Sequence, residues 1–157
     1  MNEQDIAKLK EISSTLRRIN GKVKLLALLE KAKNEYDQHK LANCEKTCSE
    51  ILDTEPNNPI ALRGLGCVYQ SKGENESAIK YYSKALEYSK SKEIEYTLIG
   101  TVYYNNDEFE KAIEYYNKAI DINDDYELAY EGKNQSMLEN HLQILDLQDS
   151  LIQRNLF

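Results

Sequence analysis

Tryptophan is missing altogether, and Phe, Pro and His each occur only twice in the 157 residues, alongside three Cys and six Gly. Each scarcity excludes something. Folds with many short strands need turn residues that this chain lacks, whereas Lys, Glu, Ala, Leu and Ile are plentiful, so the composition predicts an all-α protein. Two histidines, no Gly-rich phosphate loop, no H-E-x-x-H and no nucleophile-elbow serine leave no catalytic arrangement, and an enzyme is not expected. The lone Gly21-Lys22 pair is no phosphate loop, and Glu108, Glu110 and Glu114 have the spacing of a solvated helix face.

An odd number of cysteines, with Cys44 and Cys48 four apart, argues for a reducing compartment rather than a disulfide framework. His39, Cys44 and Cys48 offer three zinc-type ligands, but their spacing fits no usual metal pattern and no fourth ligand is evident nearby. Packing as small hydrophobes is the expectation, with no metal and no cofactor. No run approaches the ~20 consecutive apolar residues of a membrane span. Glu3, Asp5 and Glu11 stand where a leader peptide would be basic or apolar, so a cytoplasmic location is expected, with no membrane partner.

The net charge of -7 is unevenly placed: residues 1–40 carry nine Lys/Arg against six Asp/Glu (+3), and residues 41–157 eleven against twenty-one (-10). An acidic body repels phosphate, and the cluster Arg17, Arg18, Lys22, Lys24 fits a solvated helix face. No nucleic-acid partner is expected.

Against these absences stands a repetition. GENESAIKYYSKALEY (Gly73 to Tyr88) has a near twin 34 residues on, DEFEKAIEYYNKAIDI (Asp107 to Ile122). The same shift pairs Leu65-Gly66-x2-Tyr69 with Ile99-Gly100-x2-Tyr103, Ala78-x3-Tyr82 with Ala112-x3-Tyr116, and Ala85 with Ala119. One step earlier, Ala32, Cys44, Cys48 and Ile51 take the places of Gly66, Ala78, Tyr82 and Ala85, marking a third and more diverged unit.

This period and pattern resemble the tetratricopeptide repeat, whose signature runs W-x2-L-G-x2-Y, then A-x3-F, then P. The departures are Leu28, Leu62 and Tyr96 at the Trp position, Lys31-Ala32 for Leu-Gly in the first copy, and a terminal Pro kept only as Pro56. The resemblance implies a right-handed α-solenoid of helix-turn-helix hairpins, with helices at about 25–38, 41–54, 59–72, 75–89, 93–105 and 109–122. It implies that Gly66 meets Ala78, Gly100 meets Ala112 and Ala32 meets Cys44, with Tyr69, Tyr82, Tyr103 and Tyr116 filling the wider gaps.

The expected organisation is an amphipathic N-terminal helix in 1–21, three repeats in 22–125 (about 25–58, 59–92 and 93–126) and a capping helix with extension in 126–157. The first helix should carry Ile6, Leu9, Ile12, Leu16 and Ile19 on one stripe and stop at Asn20-Gly21. The last should carry Leu138, Leu142, Leu145, Ile152 and Leu156 at alternating four and three spacing, either folded back on the third hairpin or available for self-association.

In this family the concave wall comes mainly from the first helix of each hairpin. Carried over, its positions give Leu26, Leu29, Glu30, Lys33 and Tyr36 from unit one, and Ile60, Arg63, Gly64, Cys67 and Gln70 from unit two. Unit three gives Ile94, Thr97, Leu98, Thr101 and Tyr104, and the cap Leu128, Glu131, Gly132, Gln135 and Leu138. Chaperone adaptors of the family hold a C-terminal carboxylate with Lys, Asn and Arg at positions that here hold Leu29, Lys33, Gly64, Ile94 and Leu98, so that activity is not expected. The expected function is a non-catalytic interaction module that binds an apolar, neutral peptide or helix in its groove. Alternatives are a scaffold self-associating through its N- and C-terminal helices, basic head against acidic body or tail against tail through Leu138, Leu142, Leu145 and Ile152, a secretion-type chaperone, or a module whose lead helix occupies its own groove.

Overall fold

A computed structural model describes residues 3–154. Among these residues seven helices follow one another: α1 Glu3–Asp37, α2 Leu41–Thr54, α3 Pro59–Ser71, α4 Asn75–Tyr88, α5 Lys92–Asn105, α6 Phe109–Ile122 and α7 Glu127–Arg154. The C-terminal half of α1 pairs with α2, α3 with α4 and α5 with α6, each hairpin packs on the next, and α7 closes the stack against α5 and α6. This is an all-α solenoid of helical hairpins.

The hairpin turns repeat as strictly as the helices. His39 (φ 55), Gly73 (φ 76) and Asp107 (φ 59) are left-handed and 34 residues apart. Behind each, the next amide reaches back five residues to close the helix: Lys40 to Glu35, Glu74 to Tyr69 and Glu108 to Tyr103, at 2.8, 2.9 and 3.0 Å. Between units one and two, Asn58 accepts from the amides of Ile60 and Ala61, and Pro59 sits in the first turn of α3, where its missing N–H costs nothing.

The core lies between hairpins in three linked clusters. Ala32, Cys44, Cys48, Leu65 and Val68 join units one and two. Ala78, Tyr82, Ile99 and Val102 join two and three. Ala112, Tyr116, Ala119 and Ala129 join three and the cap. The glycines make room for tyrosine rings. A Cβ on Gly66 would lie 2.4 Å from the Tyr82 ring, and one on Gly100 2.9 Å from the Tyr116 ring, which also lies 2.4 Å from a Cβ on Gly132. Tyr69 stacks on Tyr81 (5.2 Å), and 34 residues later Tyr103 stacks on Tyr115 (5.3 Å).

Three expectations need correction. The helix break at Asn20-Gly21 does not occur: α1 runs through it for 35 residues. A helical glycine costs about 1 kcal/mol relative to Ala, too little to stop a helix with no proline nearby. The lead helix also does not occupy the groove, because from residue 4 to residue 24 only Thr15 is even half-buried. Finally, the second half of α7 does not fold back: residues 141–154 are all exposed. Leu156 lies outside the described residues.

Candidate functional site

Helices α1, α3, α5 and α7 place their inward side chains along one face, where two concavities lie side by side. The first, about 160 Å³, is formed where α1 and α3 meet above α2, and takes in Lys33, Tyr36, Ile60, Arg63, Gly64 and Cys67. The second, about 370 Å³, lies between α5 and α7 and takes in Ile94, Leu98, Thr101, Tyr104, Leu128, Glu131 and Gln135. Thirteen of the twenty positions named from the sequence thus fall into two groups of six and seven. Leu29, Thr97 and Gly132 join them, whereas Leu26, Glu30, Gln70 and Leu138 line neither concavity. Gln70 instead turns inward and accepts a 2.8 Å hydrogen bond from the Tyr82 hydroxyl.

Sequence reasoning missed the floor. Cys44 and Cys48 come from the second helix of unit one, Tyr116 from that of unit three, and Tyr126 from the loop before α7. A rule confined to first helices cannot find them, but small residues at Ala32, Ala61 and Gly64 were a signal that the wall is thin enough to expose what lies behind it. Gly64 is glycine because a Cβ would lie 2.7 Å from the Cys48 Sγ.

Arg63, from the wall of the first concavity, reaches across to Glu95 on α5. The Arg63 Nε and Nη2 donate to the same Glu95 oxygen at 2.8 and 2.6 Å, and the Glu95 side chain is wholly buried. The pair ties unit two to unit three and neutralises the guanidinium. The other Glu95 oxygen and the Thr97 hydroxyl are buried without a hydrogen-bond partner among the described residues.

The thiols make the first concavity greasy rather than reactive. Burial pushes the Cys48 thiol up to about 12, with Cys44 beside it adding to the effect, and burial also raises Cys44 and Cys67. All three stay protonated at neutral pH, and a protonated thiol is a poor nucleophile. Among the described residues no group of three His, Cys, Asp or Glu is placed to hold a metal ion, and no helix is long and apolar enough to cross a membrane.

Profiles of the tetratricopeptide repeat match residues 64–92 and 94–126. Among curated proteins no sequence matches significantly. Solved structures do. The tetratricopeptide domain of Sgt2 from Aspergillus fumigatus superposes with a TM-score of 0.68 at 16% identity, over 75% of this chain and 80% of that one. The first such domain of Spaghetti (RPAP3), solved with an HSP90 peptide, gives 0.65 at 18% identity, over 73% and 90%. A Thermobaculum terrenum O-GlcNAc transferase gives 0.66 at 22% identity over 72% of this chain, which spans only 22% of the transferase. At these identities the likeness speaks to fold alone. Two matched repeats, stacked with a third hairpin whose turn keeps the same 34-residue register, show that residues 64–92 and 94–126 of this chain are tetratricopeptide repeats.

Proposed function

We propose that the chain is a non-catalytic protein-interaction module whose concave face holds an apolar, uncharged segment of a partner protein. The observation that carries this reading is the pair of concavities walled by Ile60, Cys67, Ile94 and Leu98, in which the Arg63 charge is already committed to Glu95. A ligand carboxylate would find Lys33 but no second uncommitted cation on the described inner face, which argues against a receptor for chain termini. That a similar fold accommodates a peptide in the Spaghetti domain supports an extended occupant. Three free thiols suit the reducing cytoplasm.

Selection from a displayed library of random peptides on the full chain tests this. Enriched sequences should be apolar and indifferent to whether their carboxyl end is free. Their affinity should be about micromolar, as in many transient interfaces. Leu98→Arg and Ile60→Arg should abolish binding while helicity is retained. Peptides that bind both variants as well as the parent would contradict the reading.

A second reading is favoured by one observation: Leu138, Leu142, Leu145 and Ile152 are 41 to 58% exposed on a helix that continues past the stack. It is self-association, which does not compete with the groove.

A further inference from the structure

The continuity of α1 through Gly21 has a consequence for its surface. Leu9, Ile12, Leu16, Ile19, Val23 and Leu26 fall at alternating three and four spacing, an unbroken heptad seam with every position apolar. All six are 48 to 65% exposed. The seam is about 26 Å long at 1.5 Å per residue. At the other end of the solenoid, Leu138, Leu142, Leu145 and Ile152 repeat the four-and-three spacing over about 21 Å. Within one chain α1 packs on α2 and α3 while α7 packs on α5 and α6, so these two faces are separately unpartnered.

Charge decides what covers them. Residues 4–26 carry Lys8, Lys10, Arg17, Arg18, Lys22 and Lys24 against Asp5 and Glu11, a net +4. Residues 137–154 carry Glu139, Asp146 and Asp149 against Arg154, a net -2. Pairing α1 with α1 would set basic against basic. Pairing α7 with α7 would set acidic against acidic and bury Asp149 at a seam position where a carboxylate needs a cation. Only α1 against α7 matches sign, length and spacing at once, and α1 supplies lysines to meet Asp149.

We propose that the α1 seam of one copy docks on the α7 face of a second copy, and that the reciprocal contact closes a two-fold dimer. This rests on the self-association reading above and specifies its geometry.

The test combines mass and connectivity on the full chain. Sedimentation of the wild type at micromolar concentrations should give twice the 18.2 kDa of one chain. Leu16→Glu with Ile19→Glu, and separately Leu142→Lys with Leu145→Lys, should each halve the mass, and far-ultraviolet circular dichroism should show the repeats still folded. Carbodiimide treatment of a mixture of unlabelled and nitrogen-15-labelled chains should form amide bonds between α1 lysines and α7 carboxylates in mixed-isotope pairs. A monomeric wild type would remove both the dimer and the self-association reading. A dimer that survives either double substitution, or inter-copy links that never join α1 to α7, would remove this pairing and leave self-association standing.

Discussion

His39 and Asp107 occupy left-handed backbone that Gly73 occupies in the middle unit. A non-glycine residue costs about 1–2 kcal/mol there, part of which glycine returns through its freer unfolded chain. His39→Gly and Asp107→Gly should therefore each stabilise the fold by up to about 1 kcal/mol in urea unfolding. Gly66→Ala should do the reverse. Its Cβ would press on the Tyr82 ring, which is wholly buried, and overpacking of this kind costs about 1–3 kcal/mol. Gly21, where an added methyl would meet nothing within 4 Å, is the internal control: Gly21→Ala should stabilise α1 by about 1 kcal/mol. The left-handed turns at Gly73 and Asp107 were legible from residue type, whereas that at His39 was not, because only the 34-residue register points to it.

At the scale of elements, hairpins were legible because their packing is local and periodic: Ala78, Ala85, Ala112 and Ala119 recur wherever helices touch. The ends were not, because no neighbour repeats there. Lys31 and Asn34, which take the places of Leu65 and Val68, are exposed since among the described residues no hairpin covers α1 on that side. The clip between units two and three was equally hidden, as Arg63 and Glu95 sit 32 residues apart and off the family signature. Arg63→Met should strand the buried Glu95 carboxylate at a cost of about 3–5 kcal/mol, and pairing it with Glu95→Leu should recover most of that loss. Chemical denaturation of the single and double variants measures it. If the double variant were as unstable as Arg63→Met alone, the clip would not be the cause.

For the whole molecule, tyrosine is the material of the stack, and it links stability to pH. Burial raises Tyr82 and Tyr116 above their ordinary value of 10, while the hydrogen bond to Glu45 raises Tyr69 to about 12. A raised folded value means that this stabilisation is complete below pH 10 and declines as pH rises through the folded values. Unfolding midpoints should therefore fall steeply above pH 10, and Tyr69→Phe should shift the onset of that fall. That side chains from the first helices of the hairpins gather at two concavities was readable because those helices recur with the 34-residue period. The apolar floor from Cys44, Cys48 and Tyr116 was not, because it depends on how thin each wall is. Whether the concave face is the working surface is decided by nuclear magnetic resonance mapping of a library-selected peptide on the labelled chain. The largest shifts should fall at Ile60, Leu98, Thr101 and Leu128, and shifts centred instead on the exposed second-helix residues Lys80, Lys84 and Tyr88 would overturn the groove reading.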